Sequence, residues 1–212
     1  MNTFTIQQNI FIDHHPLISL TICHEGVLNE ELVDFLEITC GHIGLAPVYD
    51  AKCRLLKLAM ATATRVFLIT LSPPTATSSK KTKKTFVRTS LQRIFSNPDV
   101  TTYAFKMDYV AAALYLDYGM HLAAGKRLLS GSRKQLDGIL AALGEDRVAL
   151  NRTNIINLFR NEESFSNEPK TTALQAWAAY QAATMPKTCG RVLKLPVINT
   201  LSIDAAVCIN TT

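Results

Sequence analysis

Three short stretches hold the side chains best suited to chemistry. The run Ser19 to Val27, SLTICHEGV, is largely apolar until it ends on Cys23, His24 and Glu25. Lys106, Met107 and Asp108 follow a second β-branched stretch, and Trp177 to Gln181 reads WAAYQ. A carboxylate carried at a strand end offers oxygen to a hard divalent cation such as Mg²⁺ or Mn²⁺. Glu25 and Asp108 are therefore the metal-ligand candidates, though a pair of carboxylates holds one hydrated cation only weakly. Asp108 equally suits a helix cap, and Trp177 suits either a core anchor or a base-stacking surface.

Cysteine and histidine invite two further readings. Cys23, His24, Cys40, His42 and Cys53 resemble a zinc set, but Cys40-Gly-His42 is closer than the two-to-four-residue separation of standard fingers. Buried thiols packed as small hydrophobes account better for Cys23 and Cys40. Cys23 or Cys189 with His24 or His121 would make a nucleophile and its base, yet no glycine-rich elbow or helix start marks an activated thiol. Five cysteines, an odd number, point to free thiols and an intracellular, reducing compartment.

Charge is unevenly spread. Residues 75–95 contain Lys80, Lys81, Lys83, Lys84, Arg88 and Arg93 and no acid. Removing those six charges from the net +5 leaves the rest of the chain at −1. Such a patch, with Lys106 nearby in sequence, is a candidate contact for nucleic-acid phosphates; a solvated loop kept soluble by lysine is the plainer account.

At 212 residues, 48% hydrophobic and 18% charged, the chain is expected to be one domain over 1–212 with a substantial core. No run is long and apolar enough for a membrane span, and the N-terminus lacks a secretory pattern. No internal repeat is visible. Strands are predicted at Leu17–Cys23, Leu55–Ala61, Arg65–Leu71 and Thr101–Phe105, with a further one in FTIQQNIFI. The second and third form a hairpin through ATAT. Helices are predicted over Glu30–Thr39, capped by Asn29, and over Phe86–Phe95, Met107–Tyr118, Ser132–Leu143, Thr153–Arg160 and Thr171–Met185. Tyr103, Tyr109, Tyr115 and Tyr118 are expected near a groove, with Tyr115 and Tyr118 sharing a helical face. SPPTATSSKKTKKT reads as a basic loop at about 72–85. Strands first, then helices around further strands, predict an α/β fold with a mixed sheet and a hairpin.

The order of these elements resembles the ribonuclease D-like, DEDDy-type 3′–5′ exonucleases of the RNase H-like fold. The resemblance covers about Leu17 to Leu193 and is strongest in LQRIFSNPDVTTYAFKMDYVAAALYLDYGM. It implies four carboxylates around two divalent metals, with a tyrosine orienting the nucleophile. It implies an Asp-x-Glu motif at the end of the first strand, for which Cys23-His24-Glu25 is the candidate match. Asp108 of Lys-Met-Asp corresponds to the second motif. Trp177 and Gln181 correspond to the tyrosine and aspartate of the third. The segment from 26 to 56 then stands as an insertion, with an interface or a lid as its possible roles.

With two carboxylates and the tyrosine replaced, the resemblance implies a pseudo-exonuclease with no metal cofactor, similar to the exonuclease-domain adaptors of RNA pathways. The expected function is an RNA-binding or assembly subunit of an RNA-processing complex. A protein-only scaffold is the first alternative; the mean hydropathy of +0.12 is high for a basic chain and favours it. A residual exonuclease using Mg²⁺ or Mn²⁺ is the second.

Overall fold

The structure, a computed structural model, describes residues 1–13, 16–27, 35, 41–72, 89–129, 135–160 and 168–203. Its strands are β1 (Asn2–Gln7), β2 (Leu17–His24), β3 (His42–Tyr49), β4 (Leu55–Ala61), β5 (Arg65–Thr70), β6 (Thr101–Ala104), β7 (Gly125–Arg127) and β8 (Val197–Ile198). Its helices are α1 (Thr89–Ser96), α2 (Met107–Tyr118), α3 (Gln135–Ala142), α4 (Arg152–Arg160), α5 (Pro169–Thr184) and α6 (Cys189–Val192). The strands form one mixed sheet in the order β1-β2-β5-β4-β3-β6-β7-β8. β3, β4 and β5 run as an antiparallel meander; β6 and β7 add in parallel beyond β3. This is the mixed α/β, RNase H-like arrangement expected.

The predicted hairpin lies at β4 and β5, with Thr62 N–H and Arg65 C=O closing its turn. FTIQQNIFI divides into β1 and a bridge from Phe11 to Leu150. Buried Gln8 makes the bend between them: its Oε1 accepts the Ile10 and Phe11 N–H groups at 2.7 and 3.0 Å. The helix predicted over Glu30–Thr39 lies outside the described residues apart from Phe35, which packs edge-on against Phe67 at 4.8 Å. The basic loop at about 72–85 lies outside them beyond Ser72.

One expectation is corrected. The segment from 26 to 56 is not an insertion: it contains β3, the strand that joins the meander to the parallel β6 and β7. HIGLAPVY is not among the predicted strands, and its Gly44 and Pro47 are residues that weaken a strand. Both are accommodated. β6 pairs only with His42, Ile43 and Gly44, so Pro47 lies beyond the parallel ladder and withholds no hydrogen bond from it. Gly44 lies under α5, where an added Cβ would come within 2.1 Å of the Ala176 carbonyl oxygen and 2.5 Å of the Tyr180 nitrogen. Only a residue without a side chain lets helix and strand approach this closely.

The sheet separates two apolar layers. On one face α5, rich in alanine and buried on nearly every side, packs over Ile18, Leu20, Ala46, Ala59 and Leu68. On the other, α1 and α2 cover Ile43, Leu45, Leu58, Met60 and Phe67. Alternation along β3 therefore sends Gly44, Ala46 and Val48 toward α5 and Ile43 and Leu45 the opposite way.

Candidate functional site

Asp108 follows β6 and occupies the first turn of α2, where a carboxylate complements the helix dipole. It is not the cap: Lys106 holds that position and makes no side-chain capping bond. Asp108 Oδ2 accepts a hydrogen bond from Arg127 Nη1 at 3.0 Å, with both side chains partly exposed. Arg127 is on β7, which flanks β6 on the side away from β3. Among the described residues, Asp108 Oδ1 and Arg127 Nε are buried without a hydrogen-bond partner.

Glu25 is elsewhere. It follows β2 directly, in a short 3₁₀ turn, and its Oε1 accepts the Ser72 N–H at 3.1 Å just beyond β5. Four strand intervals separate β2 from β6, about 19 Å at the usual spacing. Two metal ions that share ligands sit only about 4 Å apart. The pairing of Glu25 with Asp108 around a cation is thus corrected: sheet order keeps them apart. Cys23 is on β2, which leads into Glu25; its side chain is buried against the α1 and α2 layer.

The strand that lies both beside β6 and under α5 is β3. A carboxylate pair completing a site with Asp108 and α5 would have to come from its α5-facing residues. Ala46-Pro47-Val48 has the spacing of Asp-x-Glu, and Ala46 and Val48 are buried and apolar. On the strand next to β6 the residues at that spacing are therefore not Cys23 and Glu25 but Ala46 and Val48. Neither side chain offers an oxygen, so the donor set around Asp108 does not fit two hard cations. Among the described residues, no group of three or more His, Cys, Asp or Glu is arranged to hold a metal ion. The signal that could have found Ala46 and Val48 is the following hairpin: HIGLAPVY is the described strand directly before β4 and pairs with it.

Trp177 and Gln181 are one turn apart on α5, and both are buried. Trp177 is fully enclosed, donates its indole N–H to Ala63 C=O at 2.9 Å, and meets Phe11 edge-on at 5.7 Å. That position ties α5 to the hairpin and offers no face to a nucleic-acid base. Of the basic candidates, Lys80, Lys81, Lys83, Lys84 and Arg88 lie outside the described residues. Arg93 is exposed on α1, and Lys106 is half-buried before α2.

The remaining polar candidates are spread through the fold. His42 Nδ1 and the Tyr103 hydroxyl are 3.0 Å apart. Burial, then the Lys126 charge, holds the His42 pKa below the ordinary histidine value, while burial raises that of Tyr103. Lys126 in turn donates to the carbonyls of Val192 and Leu193. Cys53 is exposed in the turn after β3, Cys23 is buried in β2 and Cys40 lies outside the described residues, so the described members of the zinc set are dispersed. Cys189 Sγ contacts Pro186 C=O, and His121 Nδ1 contacts Thr200 C=O; neither pairs with the other as nucleophile and base. The Tyr118 hydroxyl donates to Leu55 C=O.

No family model and no curated protein sequence matches the chain. Solved structures do. A nuclease in its apo form is similar at a TM-score of 0.52 with 9% identity, over 82% of both chains. An EXD2 exonuclease domain soaked in Mn and dGMP aligns at a TM-score of 0.40 with 15% identity, over 84% of this chain and 98% of that one. At such identity the likeness to the apo nuclease concerns the fold alone, and it agrees with the mixed sheet and flanking helices: the chain has a mixed α/β fold of the RNase H-like type.

Proposed function

We propose that this chain is a catalytically inactive exonuclease-like domain that serves as an RNA-binding or assembly subunit of an RNA-processing complex. The observation that carries the reading is the apolar α5-facing side of β3. Gly44, Ala46 and Val48, on the strand next to β6, have no side chain that can ligate a metal, and Asp108 is engaged by Arg127 on the far side of β6. A guanidinium next to that carboxylate supplies the positive charge that a metal would otherwise bring. The DEDDy subtype rests on Asp108 as a match to the second motif and on Trp177 and Gln181 at the positions of the third motif's tyrosine and aspartate. RNA contact rests on the basic segment with Lys80, Lys81, Lys83, Lys84, Arg88 and Arg93.

The test is incubation of 5′-labelled RNA with the protein and Mn²⁺ or Mg²⁺. Intact RNA is the expected result; a ladder of shortened products that disappears in Asp108→Asn overturns the reading. Binding of single-stranded RNA is expected to weaken on charge reversal at Lys80, Lys81, Lys83 and Lys84, most strongly at low salt. Unchanged affinity would remove that segment from the RNA site. A protein-only scaffold is favoured by one observation: α2 exposes Tyr109 and Leu116, 62% and 76%, on a helix with little charge.

A further inference from the structure

β1 is an edge strand: it pairs with β2 on one side and with no described strand on the other. Its residues, NTFTIQ, include no charge and no proline, and its register with β2 is unbroken from Asn2 to Gln7. The outward N–H and C=O groups of an edge template another strand, so proteins blunt edges with lysine, proline, bulges or brevity. β1 has none of these. Exposed apolar side chains accompany it: Met1 precedes the strand, Phe4 lies within it and Leu17 pairs with Gln7, each at least half exposed.

We propose that β1 is a self-pairing edge, occupied by β1 of a second copy of this chain in antiparallel register about Thr5. The alternation of the strand argues for this occupant. Phe4 and Ile6 point to the α5 side of the sheet, while Thr3, Thr5 and Gln7 point to the other. A twofold axis through Thr5 sets Phe4 opposite Ile6 of the second copy and Thr3 opposite Gln7 of the second copy. Apolar then meets apolar, polar meets polar, and every side chain stays on its own face. Shifting by one residue breaks the match of faces, and an axis through Phe4 sets Asn2 against Ile6. With no charge in either strand, nothing in β1 opposes the association.

Sedimentation velocity of the full chain over a concentration series tests this. The wild type is expected to dimerise. Thr3→Lys with Gln7→Lys places like charges opposite each other twice and weakens the dimer by about tenfold. Thr3→Lys with Gln7→Glu places opposite charges there and retains the wild-type dimer. Thr5→Cys puts two thiols at the axis, and under mild oxidation it adds a covalent dimer absent from the wild type. A wild type that stays at the 23.4 kDa monomer overturns the proposal, as does one that binds a foreign strand in place of a second copy. So does equal behaviour of the two double variants, or no added covalent dimer from Thr5→Cys.

Discussion

β2 and β3 are both eight-residue strands. β2 is the better strand by composition: LISLTICH has no glycine or proline, and it leads directly to a carboxylate. HIGLAPVY contains both breakers and carries no acid. Yet β3 lies under α5 and beside β6, while β2 stands on the far side of the meander, next to the edge strand β1. A strand's own pattern says that it is a strand; its partners decide whether it reaches a site.

Breaking the contact between β3 and α5 is the strongest way to test that contrast. Gly44→Val drives a branched side chain into the backbone of α5, and a loss of about 4 kcal/mol or outright failure to fold is expected in denaturant titrations. Placing the missing acid is next. Ala46→Asp puts a carboxylate into the closed layer under α5 and is expected to cost about 3 kcal/mol by the same measurement. The equivalent probe of β2 is small: Glu25→Gln keeps an acceptor for the Ser72 N–H, so under about 1 kcal/mol is expected. Equal losses for Ala46→Asp and Glu25→Gln would erase the distinction between the two strands.

The mildest effect is a pH dependence at the start of β3. The folded state holds the His42 pKa below its unfolded value of about 6.5. As pH falls through 6.5 the unfolded chain takes up the proton first, so this contribution to stability is complete above that pH. It is lost progressively down to the folded pKa. The denaturation midpoint is expected to fall less steeply with acidification in His42→Gln than in the wild type. Parallel slopes would show that His42 contributes nothing to the acid response.

Local signals account for what was legible. Met107–Tyr118 matches α2 at both ends because Gly119 adopts the left-handed conformation that closes a helix, donating to Leu114 and Tyr115 carbonyls. The hairpin of β4 and β5 was readable from its β-branched runs. Pro169 sits at the first turn of α5, which begins two residues before the prediction, where proline is tolerated. Short β7 and β8, of three and two residues, show no periodicity and exist only through pairing with β6 and with each other. Asp108 was legible as a carboxylate at a helix start; its engagement by Arg127, nineteen residues later, was not.

Composition and periodicity alone determined that this chain builds a mixed α/β sheet with a hairpin, a helix opening on Asp108 and a buried alanine-rich helix bearing Trp177 and Gln181. Those features follow from interactions within a few residues. Only the tertiary structure decided which strand stands beside Asp108, because strand order depends on pairings between residues far apart in sequence. By local composition SLTICHEGV is the stronger strand, and HIGLAPVY nevertheless takes the place beside β6. Gly44, by admitting the backbone of α5, gives that place to HIGLAPVY and leaves Glu25 four strands away.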